Sequence, residues 1–144
     1  MSPRDIAMAT HTNFGQFIGI VPKSEFDLTR IVEEGISTDS LQLLRDVGLT
    51  FTEMSEIIIS PRTLKYRRSR GERLSSEEAD RAVRVARIIA LAENVFADRR
   101  KAFEWLRTPD DRFDNRTPLS MLRTDSGGRF VEEMLGQIDE GIYP

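Results

Sequence analysis

Two kinds of residue in this chain could do chemistry by type and spacing. One is the adjacent carboxylates, Asp110-Asp111 and Glu132-Glu133; the other is a dense run of cations between Arg62 and Arg70. Carboxylates side by side can divide acid and base work when their surroundings push their pKa values apart. Neither pair here comes with metal ligands or a convergent partner, so both read as solvated faces or helix caps. Gly127-Gly128 lies at a helix start but lacks the spacing and lysine of a phosphate-cradling loop. Two glycines there suit the close approach of another helix or of a partner. His11 is the only histidine, in a polar segment, and there is no cysteine. A histidine triad, a histidine-rich metal centre, thiolate ligation and disulfides are thereby excluded. No catalytic, cofactor-binding or metal-binding set is expected; the chain reads as a binder and not an enzyme.

The cations run Arg62-Thr63-Leu64-Lys65-Tyr66-Arg67-Arg68-Ser69-Arg70, directly after Ser60-Pro61. Serine before proline is an N-cap followed by proline at the first helical position, so a helix should open at Pro61. Leu64 can face a core while the other side chains project around the exposed sides. Lys and Arg neutralise phosphates, and Arg can bond guanine bidentately in the major groove. Base-reading side chains sit near the start of a recognition helix. Arg62, Thr63, Lys65 and Tyr66 are therefore expected nearer the bases, with Arg67, Arg68 and Arg70 nearer phosphates. The same run also fits a basic, solvated helix end that complements its own C-terminal dipole.

Residues 1–23 are punctuated by Gly15, Gly19 and Pro22 around an apolar cluster of Phe14, Phe17, Ile18, Ile20 and Val21. Such punctuation predicts an extended arm that docks through its apolar residues. From Ser24 the helical period takes over, with Phe26, Leu28, Ile31 and Val32 as the apolar positions and Gly35 as a stop. Ser37, Thr38 or Asp39 can cap a second helix carrying Leu41, Leu43, Leu44 and Val47, which Gly48 ends. Thr50 or Thr52 can cap a third, with Phe51, Met54, Ile57 and Ile58 buried. Short helices separated by tight turns are what a helix-turn-helix unit requires. The defining turn lies just before Pro61.

After Gly71, Ser75 with Glu78 forms a capping box that opens a long helix to about Phe96. Its stripe of Ala79, Ala82, Val83, Ala86, Ile89 and Ala90 suits close packing against both halves of the chain, or a second copy. Arg81, Arg84 and Arg87 fall on another side. Asp98 can cap a helix from Arg99 to Arg107 with Ala102, Phe103 and Leu106 on one side and Trp105 nearby. Thr117-Pro118 introduces a further helical turn with Leu119, Met121 and Leu122. Thr124 or Asp125 caps a last helix whose apolar face is Phe130, Val131, Met134, Leu135 and Ile138. Trp105 and Phe130 read as core, and Gly141 ends the helix before the apolar tail Ile142-Tyr143-Pro144. That tail could plug a partner's pocket or be an ordinary frayed end.

In bulk the chain has 144 residues, 39% hydrophobic and 31% charged, with a net charge of -3. Those values suit one core-forming domain or two small ones and argue against general disorder. Weak net acidity does not oppose DNA binding, because a local basic face suffices. No apolar run can span a bilayer and the start lacks a signal-peptide layout, which leads to the expectation of a cytoplasmic protein with no membrane partner.

The order of motifs in the last third is the more specific signal. Ala92 through Val95-Phe96-Ala97-Asp98, Ala102 and Trp105-Leu106 come first. Thr117-Pro118-Leu119 follows, and Gly127 to Gly141, with Val131, Leu135 and Ile138 between, closes the series. In that order they resemble the C-terminal toxin-binding domain of the Xre/MbcA/ParS antitoxin family, of type II toxin–antitoxin systems. The resemblance extends over about residues 37–144. The run from Pro61 occupies the place of an arginine-rich segment in the family's Xre-like helix-turn-helix repressor half. The loop Asp110 to Arg116 departs from the family pattern, which often has Asn after the proline and a Leu-Gly-Gly-like turn.

The residue reading and the resemblance together lead to the expectation of an all-α protein of three parts, the arm resting on the residues alone. An N-terminal arm (1–23) precedes a helix-turn-helix DNA-binding domain (24–72), and a long linking helix leads into a small toxin-binding domain (73–144). The resemblance further implies inhibition of a RES-class toxin that consumes NAD, by covering the entrance to its active site, and autoregulation through operator DNA as a homodimer within a larger complex. Glu140, Gly141, Ile142, Tyr143 and Pro144 would form the inhibitory end, with Arg116 and Arg129 as polar anchors. The alternative is a helix-turn-helix repressor whose C-terminal domain only dimerises or senses a ligand.

Overall fold

The computed structural model describes residues 14–141. His11 and the tail residues Ile142, Tyr143 and Pro144 lie outside that range. Among the described residues the chain is all-α: seven α-helices and three short 3-10 helices, with one isolated antiparallel bridge between Asp110 and Arg116.

The helices are α1 (Glu25–Glu34), α2 (Asp39–Val47), α3 (Phe51–Ile57), α4 (Pro61–Ser69), α5 (Ser76–Phe96), α6 (Arg99–Leu106) and α7 (Asp125–Asp139). Their starts follow local capping chemistry. The side chains of Ser24, Thr50, Ser60, Ser75, Asp98 and Thr124 each accept a backbone N–H from the first turn, satisfying donors that a helix start leaves open. Gly35 and Gly48, both at positive φ, end α1 and α2.

The centre is α5. It packs against α6, α7, α1 and the 3-10 helix Phe14–Phe17. Ala79, Ala82, Val85, Ala86, Ile89 and Ala92 are fully enclosed, and their small or β-branched side chains let neighbours pack close on more than one side. One continuous core therefore joins both halves of the chain. The arginines of α5 brace it at the flanks. Arg81 Nε donates to the Ile58 carbonyl at 2.9 Å, Arg84 Nη1 to the Leu122 carbonyl at 3.2 Å, and Arg87 lies over the Phe14 ring.

Several expectations need correction. Residues 14–18 dock through Phe14, Phe17 and Ile18 as expected, but not in extended form: Phe14–Phe17 are a 3-10 helix. The Gly15 carbonyl accepts both the Ile18 and Ile20 amides, and Ser40 Oγ donates to the Ile18 carbonyl at 2.7 Å, pinning the segment to α2. Phe26 is 81% exposed because it lies two positions before buried Leu28, hence on the far side of α1. Phe51 stands at the first position of α3 and stays half-exposed, with the Arg45 guanidinium over its ring. Leu43 and Phe130 are partly exposed as well, although the Phe130 ring meets buried Phe113 edge-on at 5.0 Å. Trp105 packs half-buried against Phe96.

Candidate functional site

α3, the turn 58–60 and α4 make the helix-turn-helix. Ile57, Ile58, Ile59 and Leu64 anchor it in the core. Pro61 opens α4 where its missing N–H costs nothing. Leu64 takes up the inward side, so Arg62, Lys65, Tyr66, Arg68 and Arg70 remain exposed. A shallow groove between α3 and α4 is lined by Phe51, Pro61, Leu64, Lys65, Arg68 and Ser69.

The expected DNA-facing residues divide by what holds them. Arg62, Lys65 and Arg68 have no ion-pair partner among the described residues and point their charge to solvent. Tyr66 is exposed, with the Arg70 guanidinium 5.3 Å from its ring centre, and Arg70 also pairs loosely with Glu72 at 3.5 Å. Thr63 is half-buried and its hydroxyl accepts a bond from Ser60 Oγ. Arg67 is committed to its own chain. Its Nε and Nη2 donate to the two oxygens of Glu78 at 2.9 and 3.1 Å, and Nη1 to Glu72 at 3.3 Å.

Glu78 is buried, and burial alone would raise its pKa. The Arg67 guanidinium and the Ser75 amide outweigh that and hold the carboxyl below its ordinary value, while Arg67 is shifted up. Two-pronged pairs of this kind fix orientation as well as charge. Arg67 thus ties the end of α4 to the start of α5.

At the other end, α6, the loop Asp110 to Arg116, the 3-10 helix Leu119–Arg123 and α7 form the second module. The departing loop is ordered by its own contacts. Asp110 caps the turn Asp111–Phe113 and pairs with Arg112, while Asp114 and Asn115 adopt left-handed backbone. Arg116 is exposed and donates to the Ser120 carbonyl at 3.2 Å; Arg129 is exposed and pairs with Asp125 at 2.7 Å on the first turn of α7. Glu140 and Gly141 close α7 at the surface, Gly141 with φ 71. Arg116, Arg129 and Glu140 are therefore all solvent-facing, each on a different element or at an opposite helix end. Gly127 and Gly128 serve approach within the chain: a Cβ would lie 2.0 Å from the Met121 carbonyl oxygen in one case and 2.7 Å from Arg84 Cδ in the other.

Residue patterning gave Glu78 its cap with Ser75, left Glu53 unassigned, and gave neither a bracing role. Glu78 was legible as a cap from Ser75, and Glu53 carried the same Thr-x-x-Glu signal from Thr50. Their arginine partners, Arg67 and Arg107, gave no local sign. Among the described residues no group of three or more candidate metal ligands occurs, and no helix is long and apolar enough to cross a membrane.

A helix-turn-helix with free outward cations, fused through a shared core to a second helical module, defines a two-part class of helix-turn-helix protein. Two family models match the two parts. The antitoxin Xre-like helix-turn-helix domain matches residues 27–87, and the antitoxin Xre/MbcA/ParS C-terminal toxin-binding domain matches residues 91–141. A Pseudomonas putida protein named Antitoxin Xre is 41% identical over 118 residues, 82% of this chain and 74% of that protein. Proteins of the same name from Photorhabdus laumondii and Yersinia enterocolitica are each 33% identical. The first match covers 87% of this chain and 86% of its own length, the second 59% and 58%. The chain belongs to the Xre/MbcA/ParS antitoxin family.

Proposed function

We propose that this protein inhibits a RES-class, NAD-consuming toxin without catalysing any reaction itself, and represses its own operon by binding operator DNA. The reading gives residues 24–72 the DNA and residues 73–144 the toxin. It places the protein in the cytoplasm as a homodimer within a toxin–antitoxin assembly.

The observation that carries the DNA half is the outward side of α4, where Arg62, Lys65 and Arg68 have no ion-pair partner among the described residues. Such cations release counterions when they meet phosphates, and Arg62 near the start of α4 is placed to reach a base edge. Tyr66 and Thr63 flank them. On the toxin half, α7 delivers Glu140 and Gly141 to the surface directly ahead of Ile142, Tyr143 and Pro144. Inhibition would come from burying that end over the toxin's substrate entrance, with Arg116 and Arg129 as polar anchors.

An NAD-consumption assay on the toxin encoded beside this gene, with the full chain titrated in, tests the reading. Turnover should stop at a fixed molar ratio, which also yields the stoichiometry. Unchanged turnover together with failure to co-purify would leave a helix-turn-helix repressor whose second module dimerises or senses a ligand.

A further inference from the structure

Arg107 follows α6, inside the segment that matches the toxin-binding domain. Its side-chain hydrogen bonds nevertheless cross into the helix-turn-helix half. Nε donates to Glu53 Oε2 and Nη2 to Glu53 Oε1, each at 2.8 Å, and Nη2 also donates to the Gly48 carbonyl at 2.8 Å. Phe103, one turn back on α6, lies under the guanidinium with its ring centre 4.5 Å away. The same ring presses on Gly48 so closely that a Cβ there would be 2.9 Å from it.

Glu53 is the cap carboxylate of α3. Its Oε1 accepts the Thr50 amide at 2.9 Å while Thr50 Oγ1 accepts the Glu53 amide at 3.1 Å. One guanidinium therefore grips both the turn that ends α2 and the cap that starts α3. α4 follows α3 directly after the short turn 58–60, so a tilt of α3 is passed to the start of α4 through that turn.

We propose that Arg107 is a positioning residue for DNA reading: the toxin-binding half supplies the brace that orients the helix-turn-helix. The inference rests on α4 being the DNA-reading helix. With its fork filled by Glu53 and Gly48, Arg107 acts through α3 and not by touching phosphate. Lysine cannot replace it, because a single ammonium does not reproduce two parallel bonds in a plane.

The test is fluorescence anisotropy of a labelled duplex from upstream of the gene, titrated with the full chain at several salt concentrations. Each variant is measured where circular dichroism shows it folded. Arg107→Ala and Arg107→Lys should both bind about tenfold more weakly, because apparent affinity falls with the fraction of molecules holding the competent orientation. The salt slope should stay that of the parent. Adding Glu53→Gln to Arg107→Ala should cost nothing further, since both remove one interaction, whereas adding Lys65→Ala should be additive. Folded Arg107→Ala binding within about twofold of the parent overturns the proposal, as does a salt slope lowered by about one unit, the mark of a lost phosphate contact. A parent that does not bind the duplex at all overturns the DNA-binding reading and this proposal with it. A parent that binds while all Arg107 variants bind equally well overturns the brace alone.

Discussion

At Gly127 the start of α7 passes so close to the preceding turn that no side chain fits: a Cβ would stand 2.0 Å from the Met121 carbonyl oxygen. That neighbour is backbone and cannot swing aside. Gly127→Ala is therefore expected to destabilise the protein by about 2 kcal/mol, within the usual range for overpacking. Gly136, further along the same helix, has open space around it. There alanine only reduces the freedom of the unfolded chain, and Gly136→Ala should stabilise by about 0.5–1 kcal/mol. Thermal unfolding of the two variants decides the matter. Shifts of the same sign would refute the steric account.

At the scale of the element, α4 has an anchored edge and a free one. Arg67 is bound on both prongs to Glu78, while Lys65 and Arg68 are exposed without an ion-pair partner among the described residues. Lys65→Ala and Arg68→Ala should each weaken operator binding and lower the slope of log affinity against log salt by about one unit. Arg67→Ala should leave that slope alone. It should instead cost about 2 kcal/mol of folding stability, the worth of a charge-assisted bond whose buried partner is left behind. Salt-dependent anisotropy and urea unfolding on the same three variants separate the roles. A flattened slope for Arg67→Ala would make it a phosphate contact after all.

For the whole molecule, the ion pairs that join its parts contribute to the response to acid. Burial would raise the Glu53 pKa, but Arg107 and the Thr50 amide bring it below its ordinary 4.5; Glu78 is lowered in the same way by Arg67 and the Ser75 amide. A carboxyl with a lower pKa folded than unfolded binds fewer protons in the folded state. The stability it contributes is complete above about pH 4.5 and lost as pH falls through the folded value. The thermal midpoint should thus drop steeply below that pH, and Glu53→Gln with Glu78→Gln should lower the midpoint near neutrality while making the acid drop shallower. A double variant with the parent's full acid dependence would show that other carboxylates control it. The tail belongs to this scale too. Removing residues 141–144 should release toxin turnover while operator affinity stays unchanged, since the residues that anchor the helix-turn-helix, Ile57, Ile58, Ile59 and Leu64, lie in the other half of the chain. Full neutralisation by the shortened chain would refute the plug.

The helix starts are written in the sequence itself, because a cap is a relation between residues two or three positions apart: Ser75 with Glu78, Ser60 with Thr63, Asp98 with Arg100 and Lys101. The all-α class and the place of α4 follow from that local chemistry and from helical spacing. The motif order in the last third is legible in the same way. Tertiary structure alone decided which cations are free. Arg67 meets a carboxylate 11 positions away and Arg107 one 54 positions away, distances over which side-chain type carries no spacing rule. It also decided that Phe14–Phe17 dock as a 3-10 helix and not as an extended arm, and that Phe26 and Phe51 stay outside the core. Burial is a property of what lies opposite a residue, and only the packed chain supplies the opposite side.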